Sequence, residues 1–482
     1  MRLMRRMLEM SADLAKGKRS YQPLPLARSA QVKTHALEDC CILFYCLMYI
    51  LAINWALKEN YMNAEIIVSS YEKSFSLSRM ILCLVSVVAL KRYTFAMVNR
   101  TENVSFYIIR VLFFLYQIPL TLSFCLFDHR NFLEFILLEM IYWMFLCLAL
   151  HFVSSVRFRK ISKANFKIPR SLLRMAGIIV ILIGLVLSLR AIGGITVSFS
   201  LSGIYRMRAA FKESASDIVT FFKSAVGGYL CPCIIAYYIA RKKWILGAGA
   251  CVVQAAFYLM ARDKMYLFML PIAIGVGLIG RFIKSHFDRF MSKAYLGYGA
   301  ALFLAAVNIK RTLIMELLTR RIMVVPTYLN YIYFDYFTTN TPIWWRQDTF
   351  LVDKLFTPIY NQSVPLQISE VYFNKLEGNP NAGMFAEAIS RNGYFGVIIY
   401  PILLALLFMI FDKLYKDTDG EVKIVLGVCL AIAVSNDVIT STSFVITTCM
   451  IFIGSCFFRN GKKKPVSAAE TKGLQLGAGE NT

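Results

Sequence analysis

The sequence predicts an all-α, polytopic membrane protein of about 12 transmembrane helices, with a large extracytoplasmic loop of short helices between spans 9 and 10. Three observations predict it. Hydrophobic residues make up 58% of the 482-residue chain and charged residues only 17%, below the ~25% charged of an average soluble protein. Apolar runs recur that approach the roughly 20 residues needed to cross about 30 Å of hydrocarbon as a helix, about twice what a barrel strand needs. Lys and Arg concentrate in alternate connections, as the positive-inside rule requires of a bundle.

The spans fall near 40–57, 76–90, 104–126, 131–154, 172–189, 218–240, 244–261, 265–280, 294–309, 395–411, 424–439 and 444–458. Ahead of them, residues 1–39 form a basic segment on the cytoplasmic side. Its first 37 residues carry eight Lys and Arg and no apolar run long enough for a cleavable signal. The stretch 1–15 reads equally as an amphipathic helix on an anionic leaflet, with Leu3, Met4, Met7 and Leu8 on one face, or as a basic tail. A single transmembrane domain follows over 40–458, and the polar, small-residue stretch 459–482 is expected to be a disordered cytoplasmic tail.

The net charge of +24 raises a nucleic-acid reading, because clustered Lys and Arg neutralise phosphates. The distribution excludes it, since 33 of the 53 Lys and Arg lie in the termini and the short connections of one face. Both termini are then cytoplasmic. The twelve Cys all fall in or at the ends of spans, so neither a disulfide framework nor a metal-ligand spacing is indicated. A few charges sit inside spans: Arg110, Glu134, Glu139, Lys223 and Asp437. Such groups usually face the bundle interior in pairs, and Glu134 with Arg110 is the expected pair.

The opposite face receives the loops 190–217 and 310–394 and a tight turn at Arg262-Asp263-Lys264. Positive charge there is unexpected, notably Arg206 and Arg208 beside Tyr205, and Lys264. No HExxH, phosphate loop, nucleophile elbow or dinucleotide fingerprint is present. Of the four His, only His129 lies on this face. What remains is Arg and Lys, carboxylates, Asn and aromatic rings. Arg offers phosphate oxygens a planar fork of donors, aromatic rings suit sugar faces as well as the bilayer interface, and a carboxylate can act as base toward a hydroxyl. Together these suit transfer of a sugar from a lipid pyrophosphate, without metal, nucleotide or other cofactor.

Within the long loop, 310–323 has a helical pattern with Arg311, Arg320 and Arg321 on its basic side, and Pro326 is expected to stop or kink it. Arg320 and Arg321 are either pyrophosphate contacts or helix-end charges meeting headgroups. Asp335 follows among Tyr331, Tyr333, Tyr336 and Phe337, and then Trp344, Trp345 and Arg346. Near the end, Asn379 and Asn381 can hydrogen-bond sugar or cap a helix starting near Ala382. Glu387 and Arg391 have the four-residue spacing of a helical ion pair. Either that pair is structural, or Arg391 holds a phosphate and Glu387 is the base.

The Arg-Arg-Ile-x-x-x-Pro run at 320–326 with its Tyr-rich continuation to Phe337, and Gly378-Asn-x-Asn-x-Gly-x-x-x-Glu387 with Tyr394-Phe-Gly entering a span, resemble the bacterial O-antigen polymerases, or oligosaccharide repeat unit polymerases. Lys264 and the Tyr205/Arg208 stretch match further family features, although Arg262-Asp263 stands where small or uncharged polar residues are expected. The resemblance implies an enzyme of the bacterial inner membrane that joins undecaprenyl-pyrophosphate-linked repeat units on the periplasmic side. A lipid-linked donor and acceptor, membrane lipid, a chain-length regulator and a flippase are its implied partners. Carried over by position, it implies roles for Arg208, Lys264, Arg320 and Glu387 and leaves open which carboxylate is the base. With the reading of the loops, the candidate site residues are Glu387 and Asp335 for catalysis, and Arg206, Arg208, Lys264, Arg320, Arg321, Arg391, Tyr205, Tyr333 and Asn381 for pyrophosphate or sugar. An O-antigen ligase shares the donor and a similar helical plan. A lipid-linked oligosaccharide flippase is the alternative from another class, and it would place charges along a central cavity.

Overall fold

A computed structural model describes residues 25–58, 72–73, 75–155, 175, 178–179, 182–187, 190, 217–261, 264–308, 323–349, 352–374, 380, 383–436 and 440–458. They are helical almost throughout. A two-residue pairing of β1 (Glu72–Lys73) with β2 (Phe127–Asp128) is the one strand contact among them. Seven helices are long and apolar enough to cross a membrane: Ala36–Asn54, Leu77–Met97, Val104–Leu126, Phe132–Ser155, Phe222–Ala240, Phe287–Val307 and Met384–Leu414. Among the described residues the expected count of 12 is therefore not reached. Trp244–Met260 and Tyr266–Gly280 are shorter apolar helices, the last two helices have 17 residues each, and half of 172–189 lies outside the described residues.

The first helix, α1 (Pro25–Lys58), starts inside the segment expected to be a basic tail and continues into the first span. It is followed by α2 (Leu77–Met97), then by α3 (Val104–Leu112) and α4 (Ile118–Leu126), which are joined by a π-turn at Phe113–Gln117, and by α5 (Phe132–Ser155). A second interrupted helix follows: α6 (Asp217–Ala225), a π-turn at Val226–Leu230, and α7 (Cys231–Ala240). Both π-turns lead into a proline in the first turn of the next segment, Pro119 and Pro232. A proline lacks the N–H and crowds the carbonyl four residues back, and a widened turn relieves both. At the second π-turn, the Gln254 amide donates to the carbonyls of Gly227 (2.9 Å) and Tyr266 (3.0 Å).

The chain continues through α8 (Trp244–Ala261), α9 (Lys264–Ser285), α10 (Phe287–Asn308), α11 (Val325–Thr339), α12 (Val364–Phe373), α13 (Met384–Asn392), α14 (Gly396–Leu414), α15 (Gly420–Asn436) and α16 (Thr442–Phe458). α10 packs on α1, α14 on α5, α7 on α8 and α9, and α15 on α3. Leu82, Val85, Leu137, Ile245, Val252, Phe303 and Ile402 remain exposed on the outside of the bundle, as side chains facing lipid would be.

Charged groups sort to the two ends. At one end Lys91 binds Glu38 (3.1 Å) and Asp39 (2.8 Å), and Arg241 pairs with Asp419. There too Asp412 accepts from the backbone N–H (2.8 Å) and hydroxyl (2.6 Å) of Ser105, and Lys423 donates to the carbonyls of Glu102 (2.7 Å) and Lys416 (3.0 Å). The basic connections around 91–103, 241–243 and 413–423 thus meet one another. Arg110 does not pair with Glu134 as expected. It binds Asp288 (2.9 Å) and lies over the Phe95 ring at 3.3 Å, whereas Glu134 accepts from the Tyr394 hydroxyl (2.9 Å). The physical reason is sidedness: Arg110 lies two turns from the basic end, and Glu134 begins its span at the other.

Candidate functional site at the loop-covered end

At the end opposite the ion pairs, α11, α13 and the 341–374 segment close over the bundle. Pro326 sits in the first turn of α11; the helix expected over 310–323, which it is expected to stop or kink, lies outside the described residues apart from Met323. Asp335 and the tyrosines of this run consequently lie on one helix packed into the core. Tyr331 donates to the carbonyl of Arg130 (3.0 Å) and stacks on His129 at 4.8 Å. The buried Tyr333 donates to the carbonyl of Pro380 (3.0 Å), and burial raises its hydroxyl well above the ordinary tyrosine range. Asp335 accepts a 2.6 Å bond from Tyr372 of α12, whose hydroxyl is pushed up by burial and by that carboxylate.

α13 is buried on every side. It begins at Gly383, where any Cβ would collide with the carbonyl of Ser435, so glycine allows the close approach to α15. The expected Asn caps, Asn379 and Asn381, lie outside the described residues. Asn330 of α11 serves the first turn of α13, accepting from the Ala386 N–H (2.9 Å) while donating to Pro326 O (2.7 Å). Glu387, 1% exposed, sits in that first turn, where the helix dipole favours a carboxylate. It accepts from the Thr440 N–H (3.0 Å) and hydroxyl. The Tyr400 hydroxyl lies against it but outside hydrogen-bond geometry.

Arg391, 2% exposed, lies 3.8 Å from Glu387 through Nε, the expected four-residue pair. Its fork is turned to the chain segment after α11: it donates to the Thr349 hydroxyl (2.6 Å) and to the carbonyls of Asp348 (2.7 Å) and Gln347. That segment runs through left-handed backbone at Trp344 (φ 48°), Trp345 (φ 65°) and Asp348 (φ 54°), a conformation that costs a non-glycine residue of order 1–3 kcal/mol. Arg391 is what holds it, together with backbone bonds from Ile343 to Ser390 (2.9 Å) and from Trp344 to Arg391 (3.0 Å). Trp345 stacks on Tyr400 at 6.3 Å, which ties the strained loop to Glu387. Asp348 accepts from the Val364 N–H (2.8 Å), capping α12.

Glu387, Arg391 and Tyr333 therefore come together between α11 and α13, while Asp335, also on α11, is bound to Tyr372 of α12. Tyr205, Arg206, Arg208, Arg320, Arg321 and Asn381 lie outside the described residues, and Lys264 opens α9 without a described side chain. Asn330, Thr440, Gln347 and Tyr400 were not anticipated. Only Asn330, a lone amide in an aromatic run, carried a sequence signal. No group of three or more His, Cys, Asp or Glu with metal-binding geometry occurs among the described residues, and the eleven described cysteines are free thiols. No protein-family model, curated protein or solved structure matches the chain.

Proposed function

We propose that this protein is a glycosyltransferase of the repeat-unit polymerase type, joining undecaprenyl-pyrophosphate-linked oligosaccharides of O-antigen or a related surface polysaccharide on the periplasmic side of the inner membrane. The observation that carries the reading is Glu387: a buried carboxylate at a helix start, fed by Thr440 and paired with the Arg391 that braces an aromatic loop, at the end of the bundle away from the Lys91 and Arg241 ion pairs. A carboxylate so positioned suits a base that takes the proton of an acceptor hydroxyl. Asp335 is the second candidate, held by Tyr372. The fork of Arg391 is committed to the loop that covers Glu387, so in this reading Arg391 positions the cover. Pyrophosphate then falls to Arg206, Arg208, Lys264, Arg320 and Arg321, with Tyr205, Tyr333 and Asn381 toward sugar.

The test is complementation of a deletion strain with E387Q and D335N, scoring glycan length on lipid A. Loss of the ladder to a single repeat unit in E387Q, with protein still in the membrane, is the expected result. A normal ladder in both variants overturns the assignment. Polymer accumulating on the lipid carrier after deletion identifies a ligase, and repeat units stranded on the cytoplasmic leaflet identify a transporter.

A further inference from the structure

One buried polar cluster lies outside the residues assigned above. The first π-turn directs Tyr116 and Gln117 into the bundle, where Gln117 donates from its amide to Glu139 of α5 at 2.8 Å. Tyr142 is one turn along α5, within electrostatic reach of both Glu139 and Glu387. Tyr400 of α14 faces Glu387 and Tyr142. Tyr116, Gln117, Glu139, Tyr142 and Tyr400 are all no more than 1% exposed. The four hydroxyl and carbonyl oxygens of Tyr116, Gln117 (Oε1), Tyr142 and Tyr400, and Oε1 of Glu139, have no hydrogen-bond partner among the described residues.

Two physical facts follow. Buried oxygens this close to one another are satisfied by internal water, which collects where several polar groups share a site. A carboxylate inside a span with one amide donor and no described cation beside it is neutralised by taking up a proton, because hydrocarbon does not support the isolated charge. The groups facing Glu139 are Tyr116 and Gln117 from the π-turn and Tyr142 from its own helix. Beyond Tyr142 stand Glu387, Tyr400 and Arg391.

We propose that Glu139 is a proton-binding site in the bundle interior, whose Oε1 carries a proton at neutral pH and donates it toward Tyr142, and that Tyr142 donates in turn toward Glu387. The proton on Glu139 sets the direction of this chain. With Oε1 as donor, the Tyr142 hydroxyl is free to turn its own hydrogen toward Glu387, which already accepts from Thr440. Glu139 is thus a positioning residue for Glu387, and that role rests on reading Glu387 as the base. Protonation of Glu139 itself does not.

Infrared difference spectroscopy of the full-length protein in nanodiscs tests the proposal without substrate. Wild type is expected to show a protonated carboxylic-acid C=O band, sensitive to D2O and absent from E139Q. In Y142F and E387Q that band persists but shifts in frequency. In Y142F its deuteration changes by about tenfold, the rate equivalent of one hydrogen bond of about 1.4 kcal/mol. Absence of the band from wild type, its survival in E139Q, or its indifference to both Y142F and E387Q overturns the proposal. If E139Q does not accumulate in membranes, the Y142F and E387Q spectra decide alone. Failure of the polymerase reading is seen separately, as a normal ladder in E387Q with the Glu139 band in place.

Discussion

At the residue scale, two buried side chains decide the shape of the candidate site. Asn330 joins two helices by making one bond along α11 and one to the first turn of α13. Asn330→Ala leaves the Ala386 N–H buried and unmet, so it is expected to destabilise the protein by about 1–3 kcal/mol, read as a lower unfolding midpoint in detergent. Arg391 uses a planar fork against two carbonyls and a hydroxyl, a geometry that a lysine ammonium cannot reproduce. R391K is therefore expected to release the 341–363 loop to proteolysis nearly as fully as R391M. Protection by R391K equal to wild type would show that charge alone holds the loop. The spacing of Glu387 and Arg391 was legible in the sequence because a helix places residues four apart on one face. The acceptors of Arg391 were not, because they lie more than forty residues away and two of the three are backbone carbonyls.

At the element scale, α12 is held to α11 by the Tyr372–Asp335 bond. Because the folded protein raises the Tyr372 hydroxyl, its contribution to stability is complete below the unfolded tyrosine pKa of about 10. It is lost as pH rises past that value, since the unfolded chain then ionises first. Melting curves of wild type are expected to fall more steeply above pH ~10 than those of Y372F. The helix pair α1 and α2 depends instead on Lys91, buried between Glu38 and Asp39. Lys91→Met removes the buried cation that Glu38 and Asp39 share, with Arg92 still on Asp39 (3.0 Å), and is expected to cost up to about 3–5 kcal/mol, measured as loss of folded protein in membranes. Helix existence was readable from apolar run length, and two prolines marked where π-turns interrupt the helices. A proline in the first turn of α11 fits a helix start or a kink in a longer helix, and the residues that decide between them, 309–322, lie outside the described ones.

At the scale of the whole molecule, the Lys91, Arg241 and Lys423 contacts gather at one end, and Glu387 with Arg391 and the loop it braces lie at the other. If the bundle sits in the bilayer as its charge pattern requires, single cysteines placed at Lys242 and Lys416 will be labelled from the same side. A cysteine at Asn131 will be labelled from the opposite side. Labelling of all three from one side would overturn the two-ended arrangement. The 12-span expectation rested on apolar runs and the alternation of Lys and Arg, and the described residues hold seven helices that meet length and apolarity together.

Composition, run length and the placement of Lys and Arg determined by themselves that this chain is helical and membrane-spanning, and that its basic connections share one end. These are properties of local sequence, since a helix satisfies its own backbone and lipid selects for apolar length. Tertiary structure alone decided which charges pair, that Arg110 belongs with Asp288, and that Arg391 braces a strained loop over Glu387. It also decided that Tyr142 and Tyr400, from two other helices, come within electrostatic reach of Glu387. Each of those contacts joins residues far apart in the chain, and no periodicity or spacing encodes which helices become neighbours.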